Sequence, residues 1–417
     1  MPDELAAEGG AEGRQSAFDR ALAAWVAAGD PGGLIGWFAC EVDPEGVPIR
    51  LAIPAWGAAL GAIAAARAAR PSGWPEALDA RAEGLLRAAL RFGRPDGSAI
   101  LGSLGPDRVR LATWHAWAER LSDPSLATVA RRWLPARPNR GDPAPPPLPA
   151  HACPDRPLAI LRADWSVRGD WLAIDHRRPG GLVELAGLGL PWLGPRWESG
   201  TGAGPNGPGR PKFWKTGPMA DAASWSFRGP GGRVTRLAVL FRGRGLALLA
   251  DQVDGPGPFA TLRIDLAPGV AASPTPDAGG PALALKGGRG RSARLLPLGL
   301  PADGGSLEVE GGAIVLRQPS RGGRCWLPLL VSWRPDRDRR PTKWRSLTVS
   351  ERSSPCPSHV AFAARIAWGA GEGLVIYHSL APAALRCFLG HQTPARFLVG
   401  LFTRTGDVEP FVKWDEK

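Results

Sequence analysis

The spacing of apolar positions changes once along this chain. Up to residue 134 it follows the α-helix. Phe18, Ala21, Leu22, Trp25 and Val26 recur at three- and four-residue intervals, as do Leu85, Leu86, Ala89 and Leu90 ahead of Phe92. Further helical stretches run over 55–69, 109–121 and 126–134. Arg94-Pro-Asp-Gly-Ser98 is a turn between segments, and Asp123-Pro124 supplies an N-cap and a first-turn proline for the last helix. The lengths fit a stack of antiparallel helix pairs over residues 14–134, with residues 1–13 a disordered lead.

From residue 157 the period is two. Short apolar runs bounded by Gly, Pro or Asp occur at 261–265, 307–309, 313–316, 326–332, 346–350, 360–368, 373–379, 396–402 and 408–413. Two hairpins stand out. Trp171–Asp175 and Leu182–Gly187 flank a Pro-Gly-Gly turn, and Arg233–Phe241 returns through Arg-Gly-Arg-Gly245 into Leu246–Asp254. More than ten strands without long intervening helices predict a large antiparallel β-sandwich over 157–417. Prolines 135, 138, 143, 145, 146, 147, 149, 154 and 157 cannot continue a helix, so 135–156 reads as a linker. The expected fold class is α+β by segregation, a helical-hairpin domain followed by the sandwich.

Composition changes this picture little. Hydrophobic residues make up 44% and charged residues 22%, enough apolar content for a packed core. Six of the 51 basic residues are lysines and the rest arginines; with 18 Trp and one Tyr, this is the signature of GC-rich codons rather than of chemistry. The net charge of +12 favours acidic partners, but acidic residues are interleaved with the arginines, and even the densest basic run, 334–345, holds two aspartates. No nucleic-acid motif accompanies the charge, which argues against a nucleic-acid partner. Five scattered cysteines give neither a disulfide framework nor a C-x-x-C pair. The acidic start lacks an apolar signal segment, and the longest uncharged run, 51–66, is shorter than the ~18 residues a bilayer span needs. No membrane span and a cytoplasmic location are the expectation.

Few motifs carry chemistry. Gly202-Ala-Gly204-Pro-Asn-Gly207 matches a nucleotide-binding glycine pattern, yet Pro208 and Pro211 prevent the helix whose N-terminus would hold a pyrophosphate. The histidines (115, 151, 176, 359, 378 and 391) have no i,i+4 pairing, so no metal and no cofactor are expected. Asp175-His176, at a strand end beside a turn, is the best-placed polar pair, with His176 able to act as acid or base near neutrality. Neighbours on a strand face opposite ways, so the two share one cleft only across a bulge. Trp192, Trp197 and Trp214 gather about the glycine-rich insert 199–211. They could stack on sugar rings, while Lys212 and Lys215 would attract an anionic ligand. Tyr377 reads as core filler.

The order of these pieces resembles the heparinase II/III-like polysaccharide lyases, which join an α/α toroid of helical hairpins to an antiparallel β-sandwich. Asp175-His176 followed by Gly181–Gly187 looks like that family's histidine-bearing turn and strand, and Val234–Asp251, with Arg236 and Asp251, like its next hairpin. The resemblance implies a partial toroid over 14–134 and an anionic glycan as partner. It assigns a catalytic site to His176, Asp175 and Arg177 and binding to Trp192, Trp197, Lys212, Trp214 and Lys215. Elimination from a uronate needs a carboxylate neutraliser, for which Arg177 or Arg178 stands ready, a base, for which His176 does, and an acid, which is not evident. One histidine stands where that family carries a His-x-His-x-Asp cluster, and the helical region has no tyrosine. A non-catalytic interaction module is the alternative reading.

Overall fold

The computed structural model describes residues 17–102, 105, 108–120, 123–133, 144–177, 181–201, 209–277, 280–300, 304–338, 340–369, 372–403 and 405–415. The expectations for residues 1–13, Arg178, the turn residues 179–180, most of the glycine-rich insert and the first part of the linker lie outside the described residues. The chain divides into two compact units. One comprises residues 1–149 with Trp165–Val167, the other 150–164 with 168–417.

The first unit is helical. Residues 17–28 are followed by Gly32–Glu41, Ile53–Ala69, Glu76–Arg91, Arg108–Arg120 and Pro124–Trp133. Leu78, Ala82, Leu85, Leu86 and Ala89 form the buried stripe of the Glu76–Arg91 helix, as their spacing requires. Asp123 accepts the Ser125 amide at 2.9 Å, the expected N-cap bond. The helix Gly32–Glu41 had no signature in the sequence. Its GGLIGWFACE run is apolar nearly all round and opens on two glycines.

The second unit is antiparallel and built from four sheets. The first sheet orders its strands as His151–Ala152, Leu158–Arg162, Trp171–Asp175, Leu182–Gly187, Leu190–Gly200, Phe259–Leu266, Ala313–Pro319 and Ser306–Glu310. The second runs from Ala271–Asp277 through Gly280–Lys286, Ser292–Pro297, Arg324–Ser332, Leu246–Asp254, Gly232–Phe241 and Ala220–Gly229 to Arg210–Thr216. The chain is already in a sheet at His151, six residues before the alternating pattern begins at 157, because His151 and Ala152 pair with Ile160 and Ala159.

The sheets stack in layers, so the strands amount to more than one facing pair. Ala247, Leu249 and Val253 point into a core shared with the first sheet, while Leu246, Leu248 and Ala250 point into another shared with the five-stranded sheet that carries Phe362, Ile366 and Val399. The middle sheet is covered on both faces, and this explains why its strands are apolar at nearly every position rather than at alternate ones. Tyr377 lies fully buried in a third core, stacked on Phe388 at 5.2 Å, the core-filling role its setting predicts. Among the described residues no helix is long and apolar enough to cross a membrane.

Candidate functional site

His176 follows directly on the strand Trp171–Asp175, which pairs with Leu182–Gly187 in the register Asp175 to Leu182. Its amide donates to the Pro157 carbonyl at 2.8 Å, carrying on the ladder in which Asp175 is paired with Leu158. The side chain is only 4% exposed. Gly181 packs against the ring so closely that a Cβ there would lie 1.5 Å from Nδ1. Only glycine leaves the imidazole its place.

The partner of the imidazole is Arg236, whose Nη1 lies 2.7 Å from His176 Nε2. Arg236 also forks onto Asp251, with Nε to Oδ1 and Nη2 to Oδ2 both at 3.0 Å, and Nη2 donates to Ser199 Oγ at 3.1 Å. The Ser199 hydroxyl in turn donates to Asp251 Oδ2. The guanidinium lies 4.0 Å over the ring of Trp197, and Phe227 meets His176 edge to face at 5.1 Å. Hairpin register places the ion pair, since Arg236 and Asp251 are direct cross-strand partners. Ser199 and Trp197 reach it from the first sheet, so the network ties the two large sheets together through their common core.

The charges dictate the protonation. A guanidinium has donors only, so His176 Nε2 must accept and the proton of the neutral ring sits on Nδ1. Burial, and then the adjacent Arg236 charge, hold the imidazole well below its ordinary pKa. The imidazole expected to serve as a base therefore stands in the fold as a neutral acceptor. The basic nitrogen is already used, and the other carries a proton.

The remaining candidates separate into groups. Asp175 and Arg177 bind one another, Nη2 to Oδ2 at 2.7 Å and Nε to Oδ1 at 2.9 Å, so the Arg177 guanidinium is held by its own neighbour and is no ready neutraliser of a substrate carboxylate. Trp192 and Trp197 are buried in the sheet core, 0% and 2% exposed, and offer no open ring face. Both lie on the inward face of the strand Leu190–Gly200. Lys212 and Trp214 do come together. With Cys153, Pro154, Phe213 and Trp225 they line a cavity of about 240 Å³. Trp225 is the cross-strand partner of Arg236, so this cavity adjoins the His176 network. Lys215 is exposed on the same strand but does not line it.

Among the described residues no three His, Cys, Asp or Glu side chains converge as a metal site would require.

No family model matches the sequence, and no curated protein matches it. Solved structures do match the fold. The heparan sulfate lyase of Pedobacter heparinus superposes with a TM-score of 0.65 at 14% identity, over 84% of this chain and 61% of its own. A heparinase III gene product gives 0.61 at 11%, over 87% and 65%, and a second heparinase III gives 0.61 at 10%, over 84% and 62%. The chain spans about three fifths of the length of these structures. Its architecture is heparinase-like, mixed α and β, at an identity that speaks for fold alone.

Proposed function

We propose that this protein handles an anionic polysaccharide of the heparan sulfate kind, retaining the glycan without using His176 to cleave it. The observation that carries the reading is the heparinase-like fold over most of the chain. In the same reading residues 14–134 are a shortened α/α toroid, 135–156 a linker and 157–417 the β-sandwich. The exposed Lys212 and Lys215, with Trp214 beside a cavity, give an anionic chain a place to lie. The buried clamp of Arg236 on His176 favours binding over lysis, since a nitrogen that accepts from a guanidinium cannot also take the C5 proton of a uronate.

The test pairs retention with turnover. Immobilised heparan sulfate should hold the protein at low salt and release it as salt rises, while uncharged dextran should not hold it. Replacing both lysines, Lys212→Ala with Lys215→Ala, should shift elution to lower salt. Turnover is read from the ultraviolet absorbance of the unsaturated uronate product. Equal retention on dextran would end the glycan reading, and turnover abolished by His176→Gln in a folded protein would restore His176 to catalysis.

A further inference from the structure

The fourth sheet, formed by Ser350–Glu351, Ser354–Pro355, Arg386–Phe388 and His391–Thr393, encloses a cavity of about 530 Å³. Its wall is polar: Ser350, Glu351, Arg352, Arg386 and Gln392, with Leu385 as an apolar ledge. The size lies in the range of small-molecule sites.

The turn over this cavity is built against local preference. Among the described residues, five two-residue turns between antiparallel partners have both central residues at positive φ, the geometry that asks for glycine or asparagine. Four contain glycine: Leu188-Gly189, Gly311-Gly312, Gly322-Gly323 and Leu389-Gly390. The fifth is Arg352-Ser353, at φ 49° and 66°, with Glu351 paired to Ser354 on either side. In a chain with 55 glycines, scarcity does not explain it. Two L-residues in the left-handed region are strained, and such strain persists where a side chain is wanted in place.

The charges beneath the turn show which side chain that is. Arg386, 3% exposed, donates from Nε to Glu351 Oε2 at 3.0 Å, from Nη1 to Ser379 Oγ and from Nη2 to the Pro382 carbonyl at 3.1 Å. The Glu351 carboxylate is thereby neutralised from below. Arg352 makes no hydrogen bond or ion pair with the described residues, so the cavity keeps one uncommitted guanidinium beside hydroxyl and amide groups. From this arrangement we infer a second ligand site, for one short acidic saccharide unit whose carboxylate meets Arg352 and whose hydroxyls meet Ser350, Ser353 and Gln392. It rests on the anionic-glycan reading for the ligand class, and on its own geometry for the place.

Arg352→Gly separates the two roles of the position. It removes the guanidinium and relieves the turn, so glucuronate affinity, measured by calorimetric titration, should fall at least tenfold while the melting temperature rises. Arg352→Asn, which also tolerates positive φ, should behave alike, and glucose should bind the wild type at least tenfold more weakly than glucuronate. Unchanged glucuronate affinity in Arg352→Gly, glucose binding as well as glucuronate, or no glucuronate binding to the wild type would each overturn the site. The Lys212→Ala, Lys215→Ala variant should keep full glucuronate affinity here. Failure of the unmutated protein to be retained on heparan sulfate, with glucuronate still bound, therefore counts against the polysaccharide reading and leaves this site standing.

Discussion

The Nη1 of Arg236 stands 2.7 Å from Nε2 of His176, and the same guanidinium is forked onto Asp251 across a hairpin rung. The cation is held on one side by a carboxylate and lends a hydrogen bond to a neutral ring on the other. Removing Arg236 leaves Asp251, fully buried, without its counter-charge. Arg236→Met should destabilise the protein by about 3–5 kcal/mol, the usual result of breaking one side of a buried ion pair. The double variant with Asp251→Asn should recover part of that loss, because no lone charge then remains. Denaturant unfolding of the three proteins decides it, and a loss under about 1 kcal/mol in Arg236→Met would show the pair is not structural.

Stability should fall as the solution is acidified from neutrality, and His176 contributes to the slope. Its folded pKa lies well below the ordinary value, so below about pH 6.5 the unfolded chain takes up a proton that the folded chain refuses. More protons on the unfolded state means that stability rises with pH and is lost on acidification. His378, buried, stacked on Trp326 and depressed in the same direction by burial and Arg396, adds a like amount. Each histidine contributes up to about 1.4 kcal/mol per pH unit below 6.5. His176→Gln, whose amide oxygen can accept from Arg236, should lose one share of the slope between pH 7.5 and 5.5. An unchanged slope would mean the ring is protonated in the fold.

Gly181 should tolerate no side chain. The Cβ of Gly181→Ala would fall onto the imidazole, so either the turn or His176 must move, and with it the bond to Arg236. A destabilisation of about 2–4 kcal/mol is expected, from the lost buried hydrogen bond and the displaced ring together. Combining it with His176→Ala removes the clash and should restore much of the loss. A Gly181→Ala protein as stable as wild type would show that the turn relaxes freely.

How far the sequence discloses this arrangement depends on the element. The switch from helical to alternating spacing falls between the helix Pro124–Trp133 and the strands His151–Ala152 and Leu158–Arg162, and Arg233–Phe241 pairs with Leu246–Asp254 symmetrically about its turn. Arg236 and Asp251 were legible as equidistant from the Arg242–Gly245 turn, and therefore as cross-strand partners, although hairpin spacing does not tell which face is inward. Ser199 and Trp197 belong to a strand of the other sheet, and no local pattern announces that they meet a residue 37 or more positions away. The placement of the tryptophans was illegible for the same reason. A loop-rich neighbourhood in sequence became, at Trp192 and Trp197, an inward strand face. The helix Gly32–Glu41 left no trace because it lacks a polar face to set a period.

Asp170 gives the opposite pH dependence from His176, and a gain of stability on substitution. Its Oδ1 accepts both the Leu188 amide at 3.1 Å and the Trp333 indole N–H at 3.0 Å. Those bonds hold Leu188 at positive φ and anchor an indole that packs on Gly187. Burial nonetheless dominates and pushes the carboxyl up to about 6. Between about pH 4 and pH 6 the unfolded chain has released this proton while the folded chain retains it, so through this group stability declines as pH rises over that window and stays lower above it. Two pKa units correspond to about 3 kcal/mol at most. Asp170→Asn keeps an oxygen for both donors and removes the charge, so it should raise stability at pH 7.5 by about 1–2 kcal/mol and leave it nearly unchanged at pH 4. The check is the difference between variant and wild type in denaturant midpoint at the two pH values. A variant less stable at pH 7.5 would show that the ionised carboxylate is needed by Leu188 and Trp333 more than its burial opposes it.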